Sequence, residues 1–182
     1  MEKNYYLIID LEATCCDNKE FPRDETEIIE IGAVKTDLEY NILQEKCIMI
    51  KPTKHQITPF CTQLTSITQD MVDNGISLEE GLKIVKDEMW TPDTLFCSWG
   101  FYDRNQIKME CEQKGLEYPF DDQHRNIKLD VKEKLGLAKK EPLPSVMKRL
   151  GVQFEGTPHR GIDDARNMAI ILKKVYCKED VQ

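Results

Sequence analysis

Residues 5–11 read Tyr-Tyr-Leu-Ile-Ile-Asp-Leu, an apolar run broken only by one acid near its end. Alternation would mark a strand with one wet face. Its absence predicts a strand covered on both faces, at the centre of a sheet. Such a strand needs packing layers above and below it, which is an α/β architecture. Residues 28–36 (I-I-E-I-G-A-V-K-T) and 43–51 read as two more strands, joined by turn residues at 37–41 and ended by Pro52. Short connections of this kind predict an antiparallel meander. The stretch 16–25, with Asn18, Pro22 and Asp24, reads as a loop.

The period then changes. Ser77-Leu78-Glu79-Glu80 opens a helix with Leu82, Val85 and Met89 on one face. Residues 94–98 read as a fourth strand, 102–114 as a helix closed by Gly115, and 127–129 as a fifth strand. A short helix over 143–150 stops at Gly151, and a last helix spans 163–176 with Ala165, Met168 and Leu172 in one stripe. The expected fold is a mixed five-stranded sheet, meander first and parallel strands after, flanked by helices in one domain over residues 1–182.

A chain of 182 residues buries about 70% of its unfolded surface, so it folds without a disulfide or metal staple. With 25 Lys+Arg against 33 Asp+Glu, its formal charge is −8. That excludes coating duplex nucleic acid by bulk attraction, but not gripping one phosphate through bound cations. The seven cysteines are odd in number and lack a C-x-x-C pair, which points to free thiols in a reducing compartment. The adjacent Cys15 and Cys16 read as small side chains or as a redox-sensitive feature. No run approaches the roughly 18 apolar residues of a membrane span, and residues 5–9 are too short for a signal core. The expectation is a soluble cytoplasmic protein with no membrane partner.

Asp10 and Glu12 stand two apart, so on a continuing strand both face the same way. There they repel, and burial sharpens the cost; a divalent cation removes both problems. If the strand has already ended, both are simply solvated. Asp103 opens a helix and shares the face of Ile107 and Cys111, a buried one. A carboxylate at a helix start is also an ordinary cap. His159 and Asp164 are five apart and would diverge by about 140° on one helix. They converge only if His159 precedes the helix, as Pro158 and Gly161 favour. Asp163 competes with Asp164 and reads better as a cap. Oxygen ligands of this kind suit Mg²⁺ or Mn²⁺ rather than zinc.

The segments D-L-E-A-T at 10–14, E-I-I-E-I-G-A-V at 27–34, S-W-G-x-Y-D at 98–103 and H-R-G-x-D-D-A at 159–165 resemble the DEDDh family of 3′→5′ exonucleases. Within it they look most like the histone-mRNA 3′-exonuclease-like subgroup and its bacterial relatives of the KapD type. The resemblance implies a ribonuclease H-like fold, with Asp10, Glu12, Asp103 and Asp164 as ligands of two divalent cations and His159 as general base. Phosphodiester hydrolysis requires a strong nucleophile and charge neutralisation at phosphorus, and two cations about 4 Å apart meet both needs. An imidazole with a pKa near 6.5 can accept the proton. The implied substrate is a single-stranded 3′ end, RNA before DNA, and the implied product a nucleoside 5′-monophosphate.

Segment 60–68 (F-C-T-Q-L-T-S-I-T) resembles the family segment that holds the terminal nucleoside, where many relatives have glycine in place of Ser66. Substrate contacts are accordingly expected at Ala13, Leu64, Thr65 and Ile67. Trp99, Phe101 and Tyr102 can stack on bases or, for Trp99 and Phe101, fill core. Arg160 and Arg104 can hold a phosphate or sit in solvent. A tyrosine replaces the histidine in oligoribonuclease-type relatives, so His159 disfavours that reading. The alternative of another class is a regulatory or adaptor protein of KapD type, acting through an unidentified protein partner with incidental cleavage.

Overall fold

A computed structural model describes residues 2–17 and 20–177; Asn18, read above as part of a loop, and the last five residues lie outside them. The central strand β1 (Tyr5–Ala13) pairs antiparallel with β2 (Ile28–Thr36), which pairs antiparallel with β3 (Ile42–Met49). On its other side β1 pairs parallel with β4 (Thr94–Ser98), and β4 with β5 (His124–Asn126). The order β3-β2-β1-β4-β5 is thus the expected mixed sheet with the apolar run at its centre.

The faces separate by parity along β1. Leu7, Ile9 and Leu11 pack with Leu82, Val85 and Met89 of α3 (Leu78–Met89) and with Ile107 and Cys111 of α4 (Tyr102–Lys114); these helices follow α1 (Pro59–Thr65) and α2 (Gln69–Asp73) in the chain. Ile8 points the other way, into a second core. That core is built on α5 (Ile127–Lys134), α6 (Leu143–Leu150) and α7 (Gly161–Tyr176). Each large apolar side chain buried here contributes about 1.5–3 kcal/mol. Asp10 and Glu12 share the parity of Ile8, so both face the α7 layer.

Five features differ from the sequence reading, one of them the start of α7, which falls at Gly161 and not at 163. β1 continues through Ala13, past Leu11, because β2 pairs with it to Ile28 across a register shift between Glu12 and Ala13. β3 starts at Ile42 and ends at Met49. Residues 127–129 are helical, not strand: only His124–Asn126 reaches β4, and Asn126 Oδ1 then accepts the Leu129 N–H at 3.2 Å to cap α5. Two short helices, α1 and α2, fill a stretch not read as helical. Thr58 caps the first through the Cys61 N–H at 3.0 Å, with Pro59 at its first position, and Thr68 caps the second. No helix among the described residues is long and apolar enough to cross a membrane.

Candidate active site

α7 enters directly over β1 and β2, and glycines allow it. A Cβ on Gly161 would lie 2.8 Å from the Asp10 carbonyl oxygen, so the helix start rests on the strand that carries Asp10. The first turn then presents Asp164 to the acids of β1. Ligand oxygens of Asp10, Glu12 and Asp164 lie within 4.8 Å of one another, all three groups half-buried. Asp103 reaches the same strand from the start of α4: its Oδ1 accepts the Leu11 N–H at 3.1 Å. It is buried, as its shared face with Ile107 and Cys111 required.

These carboxylates are electrostatically frustrated. Burial pushes Asp10 well above the usual carboxylate range, and the charges of Asp103, Asp164, Glu12 and Glu30 push it further. Glu12 is pushed up to about 9 by burial, then by Asp164 and Glu30. Asp103 rises to about 6 through burial, restrained by hydrogen bonds from its own N–H, Leu11 and Ser98. Asp164 also rises to about 6 through burial, restrained by the His159 N–H and charge. Converging hard oxygen donors that resist sharing negative charge are suited to a divalent cation. The residues present therefore fit Mg²⁺ or Mn²⁺.

His159 precedes α7, as convergence demanded, and adopts a left-handed φ of 61°. Its backbone N–H donates to Asp164 Oδ2 at 2.8 Å, while its ring side is exposed. Asp163 turns elsewhere. Its Oδ2 accepts the Thr157 N–H at 2.8 Å and its Oδ1 accepts from Arg166 at 2.7 Å, folding the preceding loop.

The expected substrate-binding residues divide. Ala13 ends β1 beside the acids, half-buried. Leu64 is 39% exposed at the end of α1. Thr65 and Ile67 are fully buried, with the Thr65 hydroxyl bonded to Cys61 O and Ile67 N; only their backbones can meet a ligand. Trp99 packs into the second core and donates its indole N–H to Glu141 O at 3.3 Å, so its ring is a structural wall more than an open platform. Phe101 and Tyr102 are the exposed aromatics here. Arg160 is not a solvated cation: its Nε donates to the buried Glu30 at 2.8 Å. Sequence reasoning gave Glu30 no role of its own, quoting it only within the segment 27–34.

The fold and its acidic site define a class. The RNase T exonuclease family model matches residues 7–172, and the chain belongs to that family, in its DEDDh branch. Among its relatives is "ERI1 exoribonuclease 3" of Homo sapiens, 34% identical over 93% of this chain; the chain spans about half (53%) of that relative's length. "Probable 3'-5' exonuclease KapD" of Bacillus subtilis is 28% identical over 96% of this chain and 86% of its own length. The solved nuclease domain of 3'hExo, a DEDDh family member bound to rAMP, superposes with a TM-score of 0.86 at 30% identity, covering 94% of this chain and 91% of that one.

Proposed function

We propose that the chain is a metal-dependent 3′→5′ exonuclease that shortens single-stranded nucleic acid, RNA in preference to DNA, and releases nucleoside 5′-monophosphates. The observation that carries the reading is the convergence of Asp10, Glu12 and Asp164 within 4.8 Å, beside Asp103 and the segment bearing His159. Relatives named exoribonucleases favour RNA, and rAMP bound to the 3'hExo domain favours a mononucleotide product.

In this reading Asp10, Glu12, Asp103 and Asp164 hold two cations, Mg²⁺ or Mn²⁺. When bound, these supply charge neutralisation at phosphorus and a more acidic water. The chain's own groups do the rest. Asp103, fixed by the Leu11 N–H, holds one side of the cluster to β1. Asp164 holds His159 by its backbone, leaving the imidazole to accept the attacking water's proton. Leu64, raised at the end of α1, offers an apolar edge to the last base, and the backbone at Thr65 and Ile67 is left to meet the terminal sugar.

The test incubates the purified chain with 5′-labelled RNA and DNA, single- and double-stranded, in Mn²⁺, Mg²⁺ or EDTA. Expected is a ladder shortening from the 3′ end of single strands, faster on RNA, absent in EDTA and absent for Asp10→Ala. Unchanged turnover by Asp10→Ala, or full activity in chelator, overturns the reading.

A further inference from the structure

Glu30 lies opposite Glu12 in the β1–β2 ladder, yet it is not one of the acids that come within 4.8 Å of one another. Its side chain is 0% exposed. A buried carboxylate persists only where its oxygens are matched by donors, and here both are. Oε2 takes the Arg160 Nε–H at 2.8 Å. Oε1 takes the Ile162 N–H at 3.4 Å and the Cys47 thiol at 3.1 Å. Arg160 and Ile162 flank Gly161 at the start of α7, and His159 comes immediately before them.

We propose that Glu30 is a positioning residue for His159: a buried carboxylate that clasps the segment 160–162 through Arg160 and the first turn of α7. The proposal rests on the reading of His159 as general base. Two anchors bracket that residue, Asp164 at its own N–H and Glu30 at the residues that follow. Its left-handed backbone is less favoured than the ordinary regions, and the two anchors hold it there. The clasp also redefines Arg160. With its Nε donated to Glu30, Arg160 orients the segment, and only its remaining N–H groups are left to meet a substrate phosphate.

The experiment compares the full chain with Glu30→Gln, Arg160→Lys and His159→Ala, and combines Glu30→Gln with His159→Ala. Glu30→Gln is expected to lower kcat about 10–100-fold, the scale of misplacing a catalytic group, with KM within about twofold. On the His159→Ala background the same change is expected to cost less than about threefold, because a residue acting through His159 loses its route. Amide exchange over residues 157–162 should speed at least tenfold in Glu30→Gln, with β1 and β2 unchanged. Equal losses in both backgrounds, or unchanged exchange, overturn the proposal. If Glu30→Gln fails to fold, Arg160→Lys carries the same comparisons, since it keeps the charge and removes the Nε donor. A wild-type chain that shortens no strand refutes the nuclease reading; the exchange data then decide the clasp alone.

Discussion

Gly32 of β2 faces Gly161 of α7 so closely that a Cβ on Gly32 would stand 1.9 Å from the Gly161 carbonyl carbon and 2.1 Å from the Ile162 nitrogen. Both atoms are backbone and cannot swing aside. Gly32→Ala must therefore push the helix away from the sheet and draw Asp164 from Asp10. Overpacking of this kind costs about 1–3 kcal/mol or more. The variant is expected to melt several degrees lower and to lose most of its turnover even where it remains folded. Calorimetry and strand shortening measured together check this, and wild-type values in both would show that α7 can dock without the glycine contact.

The acid cluster makes stability depend on pH when no cation is present. A carboxyl whose folded pKa is raised stabilises the fold fully below its unfolded value and loses that contribution as pH climbs through the folded value. Glu12 rises from 4.5 to about 9, and Asp103 and Asp164 from 3.8 to about 6. In EDTA the protein should weaken from pH 5 to pH 8. His124, lowered to about 4 by burial, acts oppositely, but only below its unfolded 6.5. Glu12→Gln isolates one contribution: its advantage over the wild type should grow by up to about 1.4 kcal/mol per pH unit across that range. Mg²⁺ should restore the wild type and release protons as it binds, which titration calorimetry in two buffers measures. An advantage that stays level with pH contradicts the electrostatic account.

Leu64 is exposed where Thr65 and Ile67 are not. Leu64→Ala is expected to leave stability within about 0.5 kcal/mol and to raise KM severalfold for single strands, with kcat little changed. Steady-state kinetics settle it; a fallen kcat at constant KM would move Leu64 from holding the end to arranging the reaction.

Ser66 closes α1 with φ 63° and ψ 6°, the left-handed cap usually filled by glycine. That backbone suits glycine better than serine. Ser66→Gly should stabilise the chain by about 0.5–1 kcal/mol, a melting shift of roughly 1–4 °C for a domain of this size. An unchanged or lower midpoint argues against strain at this cap.

Periodicity made the sheet and the long helices legible. The run at residues 5–11 could only be central, and the Ala165–Met168–Leu172 stripe only a packed helix. Where two signals competed, the weaker local one was misread: Ile127 and Leu129 look like strand, but the cap supplied by Asn126 turns them into α5. The acids stood out by their placement: Asp10 and Glu12 two apart on a buried strand, and Asp103 and Asp164 in the first turns of α4 and α7. Arg160 was not legible, because its partner Glu30 lies 130 positions away and pairing at that distance leaves no trace in spacing. Trp99 was open between base platform and core, and its packing on the second core could be seen only in the fold.

Asp164 belongs to the last helix of the described chain, while Asp10 belongs to the first strand. Without that helix the sheet would keep Asp10, Glu12 and Asp103 and lose Asp164, so the acidic cluster closes only when the last described helix docks on the first strand.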